Sequence, residues 1–206
     1  MNLGILATIR GDFDEATVHY RNCLALYEQL KHAVSIARAY HNLGMCHLAR
    51  QSWTEALDAF EKSLKISQAR GDLRQSASTY VHKAAVYLEL SDPTVAATYC
   101  AQAMDIFREV DYPLGIAETY KVLGRLFIRE RDWATARSLL EESLQICRDY
   151  DNPLGVAEVY RELGNLQAAQ NDTEAARRSL EAALEQFETL GTRHDVEITQ
   201  SLLDNM

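Results

Sequence analysis

The sequence predicts an all-α solenoid of antiparallel helix pairs, about eleven helices in all, and three observations carry that prediction. The first is a forty-residue period. Displaced by forty, Tyr40, Tyr80, Tyr120 and Tyr160 coincide, as do Gly4, Gly44, Ala84, Gly124 and Gly164. Ala16, Ala56, Ala96, Ala136 and Ala176 form a further column, and Leu24, Leu64, Met104, Leu144 and Leu184 another. The second observation is the column Asp12, Ser52, Asp92, Asp132, Asp172, made only of residues whose side-chain oxygens cap helix N-termini. A second set of starts near Asp72, Tyr112-Pro113, Asn152-Pro153 and Thr192 divides each period into two helices. Linkers of a few residues then make successive helices antiparallel neighbours. The third is composition: 3 prolines and 9 glycines are too few for a sheet-rich chain of tight turns.

Taken in order, the elements form a single solenoid over 1–206. Repeat one (1–30) is partial, because Met1 stands three residues before Gly4 and the first helix lacks its opening turns. Its second helix starts at Asp12, with Glu15 completing a capping box, and repeat two (31–70) does the same with Ser52 and Glu55. Repeat three (71–110) carries Lys83-Ala84 in place of Leu-Gly and places Pro93 after Asp92, where a missing N–H costs nothing. Repeat four (111–150) and repeat five (151–190) open on Tyr112-Pro113 and Asn152-Pro153; in the fifth, Glu174 favours the helix dipole of the second helix. A capping helix over 192–205 covers the last pair with Val196, Ile198, Leu202 and Leu203 and keeps Glu197, Gln200 and Asp204 solvated. The Gly/Ala columns let the two helices of a pair approach closely, with packing offsetting the ~1 kcal/mol that a helical glycine costs. Phe13, Trp53 and Trp133 cover that approach; Pro93 and Thr173 break the aromatic column, so repeats three and five are expected to pack less tightly there. Leu3 and Leu6 have no preceding repeat, which suggests a fragment of a longer protein or an exposed edge used for self-association as a homodimer.

These columns resemble the tetratricopeptide repeat family in its long, forty-residue form. The resemblance rests on Tyr40-His-Asn-Leu-Gly44 with Trp53-Thr-Glu-Ala56 and Phe60, echoed by Tyr120, Leu123-Gly124, Trp133 and Ala136, and by Tyr160, Leu163-Gly164 and Ala176. It implies a right-handed superhelical solenoid whose first helices line a concave groove that binds partner segments. In that register the groove positions include Arg38, His41 and Met45 of repeat two and Val81 and Leu88 of repeat three. They continue as Lys121, Arg125 and Arg129 of repeat four and Arg161 and Asn165 of repeat five. An extended or helical peptide would set apolar side chains against Met45, Val81 and Leu88 and an acidic group against the basic cluster, where arginine forks hold carboxylates in bidentate fashion. The competing reading is a solvated row neutralised by Glu118, Glu158 and a lateral Glu89–Arg129 pair, in which exposed ion pairs contribute ~0–1 kcal/mol. The two-carboxylate clamp by which some members grip chaperone tails is missing: its positions hold His41 and Met45, His82, then Glu118 and Val122.

A net charge of −9 and a pI near 5.2 argue against nucleic acid and anionic membrane as partners. No apolar run approaches the ~20 residues that span a bilayer. The start MNLGILATIRGDFDEA lacks a basic opening and a cleavage site, and Cys23, Cys46, Cys100 and Cys147 form no CxxC, so a reducing, cytoplasmic setting is expected. His41 and His47 lie on different helical faces and His82 is offset by one from the His41 column, so no metal site is expected. Cys23 and Cys100 read as buried, inert thiols. With no phosphate loop, GxSxG or HExxH, the expectation is no cofactor and no catalytic residue. The leading reading is a non-catalytic scaffold for protein–protein interaction that binds a peptide or partner domain. The alternative is a regulatory or sensor segment of a larger signalling or transcription-regulator protein, acting on its own effector domain or by self-association.

Overall fold

A computed structural model describes all 206 residues. The helices are α1 (Asn2–Arg10), α2 (Phe13–Gln29), α3 (Ala33–Ala49), α4 (Trp53–Ala69), α5 (Leu73–Glu89) and α6 (Pro93–Glu109). They continue as α7 (Pro113–Arg129), α8 (Trp133–Asp149), α9 (Pro153–Ala169), α10 (Thr173–Leu190) and α11 (Arg193–Asp204), with no strand. Two compact units result, Met1–Asp111 with α1–α6 and Tyr112–Met206 with α7–α11. Within each unit consecutive helices pack together, and first helices also meet side by side, α3 with α5 and α7 with α9.

Every linker is built the same way. The chain passes through positive φ at 11, 31, 51, 71, 91, 111, 131, 151, 171 and 191, and only three of these residues are glycine. The others, such as Gln51 and Arg131, hold a left-handed conformation that costs a side-chain-bearing residue about 1–2 kcal/mol. A backbone bond across the helix end offsets that cost: Ser52 N–H donates to the His47 carbonyl at 2.9 Å, Asp132 to Phe127 at 3.0 Å and Asp172 to Gln167 at 2.9 Å. The next residue is already the N-cap. Asp92 and Asp172 accept from the amides of Val95 and Ala175 at 3.1 Å, and Asp72 and Asn152 cap α5 and α9. The capping boxes expected at Asp12 and Ser52 do not form, since neither side chain accepts an amide proton. Glu15 instead turns to His19 at 3.3 Å. His32, which carries no usual capping signal, receives the Ser35 amide at 3.4 Å.

The small columns are steric necessities. A Cβ added to Gly44 would stand 2.4 Å from the Phe60 ring, and one on Gly124 or Gly164 2.7 Å from Leu140 or Leu180. In repeat three the opposing column holds Cys100 instead of an aromatic or leucine, and the first helix there carries Ala84. At the break itself Pro93 and Thr173 are exposed where Phe13, Trp53 and Trp133 are half-buried, as expected, yet over their whole length the helix pairs of repeats three and five pack as extensively as those of repeats two and four. Ala84, Ala96 and Cys100, and likewise Gly164, Ala176 and Leu180, are buried, so the approach is set mid-helix and not by the first residue of the second helix. Lys83, itself buried in the leucine column, keeps its charge by pairing with Glu61 at 2.7 Å and lying 4.7 Å over the Tyr99 ring. The tyrosine column ties repeat to repeat: Tyr40 reaches Glu28, Tyr80 receives Gln68, and Tyr160 receives Arg148 at 2.6 Å.

At the C-terminal end α11 covers α10 with Thr199 and Leu203 buried and Val196 packed beside Phe187. Ile198 is exposed and Leu202 half-buried, contrary to the covering role expected of them. Residues 196, 199 and 203 share one helical face, and 198 and 202 fall on the adjoining one.

Candidate functional site

The first-helix face of the N-terminal unit centres on a neutral aromatic cluster. His41 and His82 meet edge to face with ring centroids 4.9 Å apart, and Phe60 lies 5.7 Å from one ring and 5.9 Å from the other. The sequence set these histidines in different columns; side-by-side contact of α3 and α5 brings them together. Thr79 Oγ1 donates to the Gln75 carbonyl and therefore accepts from His41 Nδ1, 3.2 Å away. Burial, and then the neighbouring His82, hold the His41 imidazole well below the usual histidine range. Met45 is half-buried against Phe60 and Val86, and Arg38 is exposed on α3. Val81 and Leu88 need correcting: they are 0% and 1% exposed and offer no surface to a partner. Val81 is fully buried in a column whose other members, His41, Lys121 and Arg161, are partly buried. No group of three or more His, Cys, Asp or Glu stands where it could hold a metal ion.

The same face of the C-terminal unit is charged, and its charges are organised laterally. Lys121 Nζ on α7 donates to Glu118 at 2.6 Å and to Glu158 on α9. Burial pulls the Lys121 ammonium down, but Glu118 and Glu158 outweigh it and hold it above the usual lysine range. Burial pushes the Glu158 carboxyl up against the pull of Lys121, and the charge of neighbouring Glu118 pushes in the same direction as burial. Arg125 on α7 faces Glu162 on α9 at 3.8 Å, and Glu162 accepts from the Asn165 amide at 3.0 Å. Arg161 on α9 donates to Asp195 on α11 at 2.7 Å and lies 5.0 Å over the Phe187 ring.

The basic row thus carries its own acids. Lys121, Arg125, Arg129 and Arg161 are matched in number by Glu118, Glu158, Glu162 and Asp195. The sequence reading missed Glu162 and Asp195. Lys121–Glu158 and Arg125–Glu162 share a sequence offset of thirty-seven, a signal that follows from how neighbouring first helices lie and not from the forty-residue period. Between α7, α9 and α11 a cavity of about 400 Å³ is lined by Arg125, Arg129, Arg161, Glu162 and Asn165, with Ile128, Ile198 and Leu202 as its apolar wall. Four of the ten expected site residues converge there. Lys121 is held in its carboxylate pair instead.

All four cysteines are free thiols. Burial raises those of Cys46, Cys100 and Cys147, Cys100 to about 12, while Cys23 is only half-buried. No helix is long and apolar enough to cross a membrane.

The tetratricopeptide repeat profile matches residues 1–69, 75–149 and 115–189. The protein KINESIN LIGHT CHAIN-RELATED 2 of Arabidopsis thaliana is 24% identical over 107 residues, which make up 51% of this chain and 16% of that relative, so the chain spans well under two thirds of its length. Among solved structures, BtubC (BKLC) from P. vanneervenii superimposes with a TM-score of 0.65 at 22% identity, over 91% of this chain and 78% of its own. A Rap protein complexed with competence and sporulation factor gives a TM-score of 0.69 at 12% identity, over 98% of this chain and 61% of its own. At such identities these structures are likenesses of fold.

Proposed function

We propose that this chain, which belongs to the tetratricopeptide repeat family, is a non-catalytic interaction module that binds a peptide or partner domain on the face of its first helices. The observation that carries the reading is the cavity between α7, α9 and α11, where Arg125, Arg129 and Arg161 stand beside Ile128, Ile198 and Leu202. Guanidinium forks next to an aliphatic wall suit a segment that presents a carboxylate together with an apolar side chain. Asn165 adds an amide with both a donor and an acceptor. Four thiols outside any disulfide suit a reducing, cytoplasmic setting.

The lateral acids change how this reading is tested. Lys121→Glu would bring a third carboxylate to Glu118 and Glu158 and disturb the fold, so the informative variant is Arg125→Glu/Arg129→Glu at the rim of the cavity. Partners recovered by the wild type are expected to be lost by this variant, and their retention by the wild type is expected to fall as salt screens the contact. Recovery of the same partners with the same salt dependence would sink the proposal.

One observation supports a second reading, a regulatory segment of a larger protein acting on an attached effector: the matched region is 16% of its curated relative. Recovery of an effector domain encoded in the same reading frame would favour that reading over a stand-alone adaptor.

A further inference from the structure

We infer that a notch among α2, α3 and α4, in the N-terminal unit, binds an aromatic side chain carried by a partner polypeptide. The repeat itself supplies the template. In repeat three, Tyr99 of α6 stands between two rings of α5, its centroid 5.7 Å from Tyr80 and 5.6 Å from Tyr87, with interplanar angles of 25° and 23°. Lys83 lies over the same ring. Moved back by forty residues, the set Tyr80, Lys83, Tyr87, Tyr99 reads Tyr40, Leu43, His47, Ala59. The two outer rings are kept in repeat two, and the ring between them is missing.

What Ala59 leaves is a cavity of about 230 Å³, with Leu24, Leu43 and Ala59 as apolar lining and Tyr40 and His47 beside them. A cavity of about 150 Å³ with apolar walls already takes a benzene ring. Later repeats fill the position by other means. Leu139 stands there in repeat four, and in repeat five Ser179 meets Gln167, the counterpart of His47, in a hydrogen bond of 2.7 Å. On α3, residues 40, 43 and 47 share one helical face, whereas His41 and Met45 lie on the face assigned to the groove. The notch is therefore a separate site and not an extension of the groove.

The occupant follows from the walls and the rim. A ring between Tyr40 and His47 would gain the offset stacking that Tyr99 has in repeat three, which an aliphatic side chain cannot reproduce. Leu43 in place of Lys83 gives that ring an apolar neighbour. Arg21 and Glu55 are exposed at the rim, and Lys62 pairs with Asp58 at 2.6 Å. Arg21 offers donors to a backbone carbonyl and Glu55 an acceptor to a backbone N–H, a combination that suits a ring attached to a peptide better than a free aromatic acid or base. The choice of a polypeptide rests on the reading of the chain as an interaction module, but the site shares no residue with the basic cavity.

Methyl NMR of the full chain tests this, following Leu24, Leu43 and Ala59 during titration with N-acetyltyrosinamide, N-acetylleucinamide or p-cresol, with circular dichroism as the check on folding. The tyrosine amide is expected to give saturable ring-current shifts with a dissociation constant of about 1 mM, and the leucine amide to bind about tenfold more weakly. Ala59→Tyr, which restores the ring found in repeat three, is expected to abolish the shifts at Leu24 and Leu43. Tyr99→Ala is expected to open a second site, seen at Leu64 and Val95. Arg125→Glu/Arg129→Glu should leave all of these shifts unchanged, which separates failure here from failure of the basic cavity. The proposal is overturned by the absence of saturable shifts, by equal binding of the two amides, or by a folded Ala59→Tyr that still binds. A folded Tyr99→Ala that gains no site also overturns it, as does binding of p-cresol without the tyrosine amide, since the ring would then belong to a free small molecule.

Discussion

In the N-terminal unit, position 41 holds a histidine wedged against His82 and Phe60, and position 81 holds a valine sealed inside the packing. In the C-terminal unit the same column holds Lys121 and Arg161, each tied to a carboxylate on the next first helix. The backbone and the small-residue columns beneath are alike in both. The comparison teaches that the repeat specifies where a first-helix side chain stands and leaves its chemistry open, provided each buried charge brings a partner. A neutral cluster needs no such partner, but it resists being charged. The two faces should therefore fail under different perturbations.

The largest expected effect is in the charged unit. Lys121→Met leaves Glu118 and Glu158 facing each other without their shared cation, and removal of one member of a buried pair costs about 3 kcal/mol. His41→Leu in the neutral unit should cost well under half as much, which urea denaturation of both variants will measure. Equal losses would erase the distinction between the faces.

Next comes pH, where the signs differ. His41 is held well below its usual value of about 6.5, so below that pH the unfolded chain binds a proton that the folded chain refuses. Stability is full above about pH 6.5 and falls as pH drops beneath it, by up to about 1.4 kcal/mol per pH unit for one proton. Glu158, held above the carboxylate range, acts in the opposite sense, its contribution rising as pH falls. The Lys121 contribution is full below the usual lysine value and is lost only as pH rises beyond it. The acid-side loss should therefore flatten in His41→Gln and persist in Lys121→Met; denaturation at pH 7 and pH 5 tests this.

The smallest effect concerns the caps. Asn152 accepts the Gly155 amide at 3.1 Å, whereas Ser52 accepts none. Asn152→Ala should cost about 1 kcal/mol and Ser52→Ala a few tenths, resolvable as different shifts in thermal midpoint.

How far the residues themselves foretold this arrangement depends on the range of the interaction. The helix starts at Asp92, Asp172 and Pro153 were legible because a cap involves only the next few residues. Gly44 and Gly164 were legible because their cause recurs every forty residues. The left-handed turns at Gln51 and Arg131 were not, since the bond that closes them is between backbone groups and leaves no mark on the side chain. Val81 was read as a groove residue from its column, yet it is sealed in the packing, because a column fixes a position along the repeat and not how deeply its neighbours bury it.

The sequence by itself determined the all-helical repeat, its register and its count of elements, because caps, periodicity and steric columns are local or strictly periodic. Only the tertiary structure decided what the first helices do with their charges. Glu162 meets Arg125 and Asp195 meets Arg161 across offsets other than the repeat period, and His82 joins His41 from a neighbouring column. Those offsets come from how one first helix lies against the next, and no single helix records them.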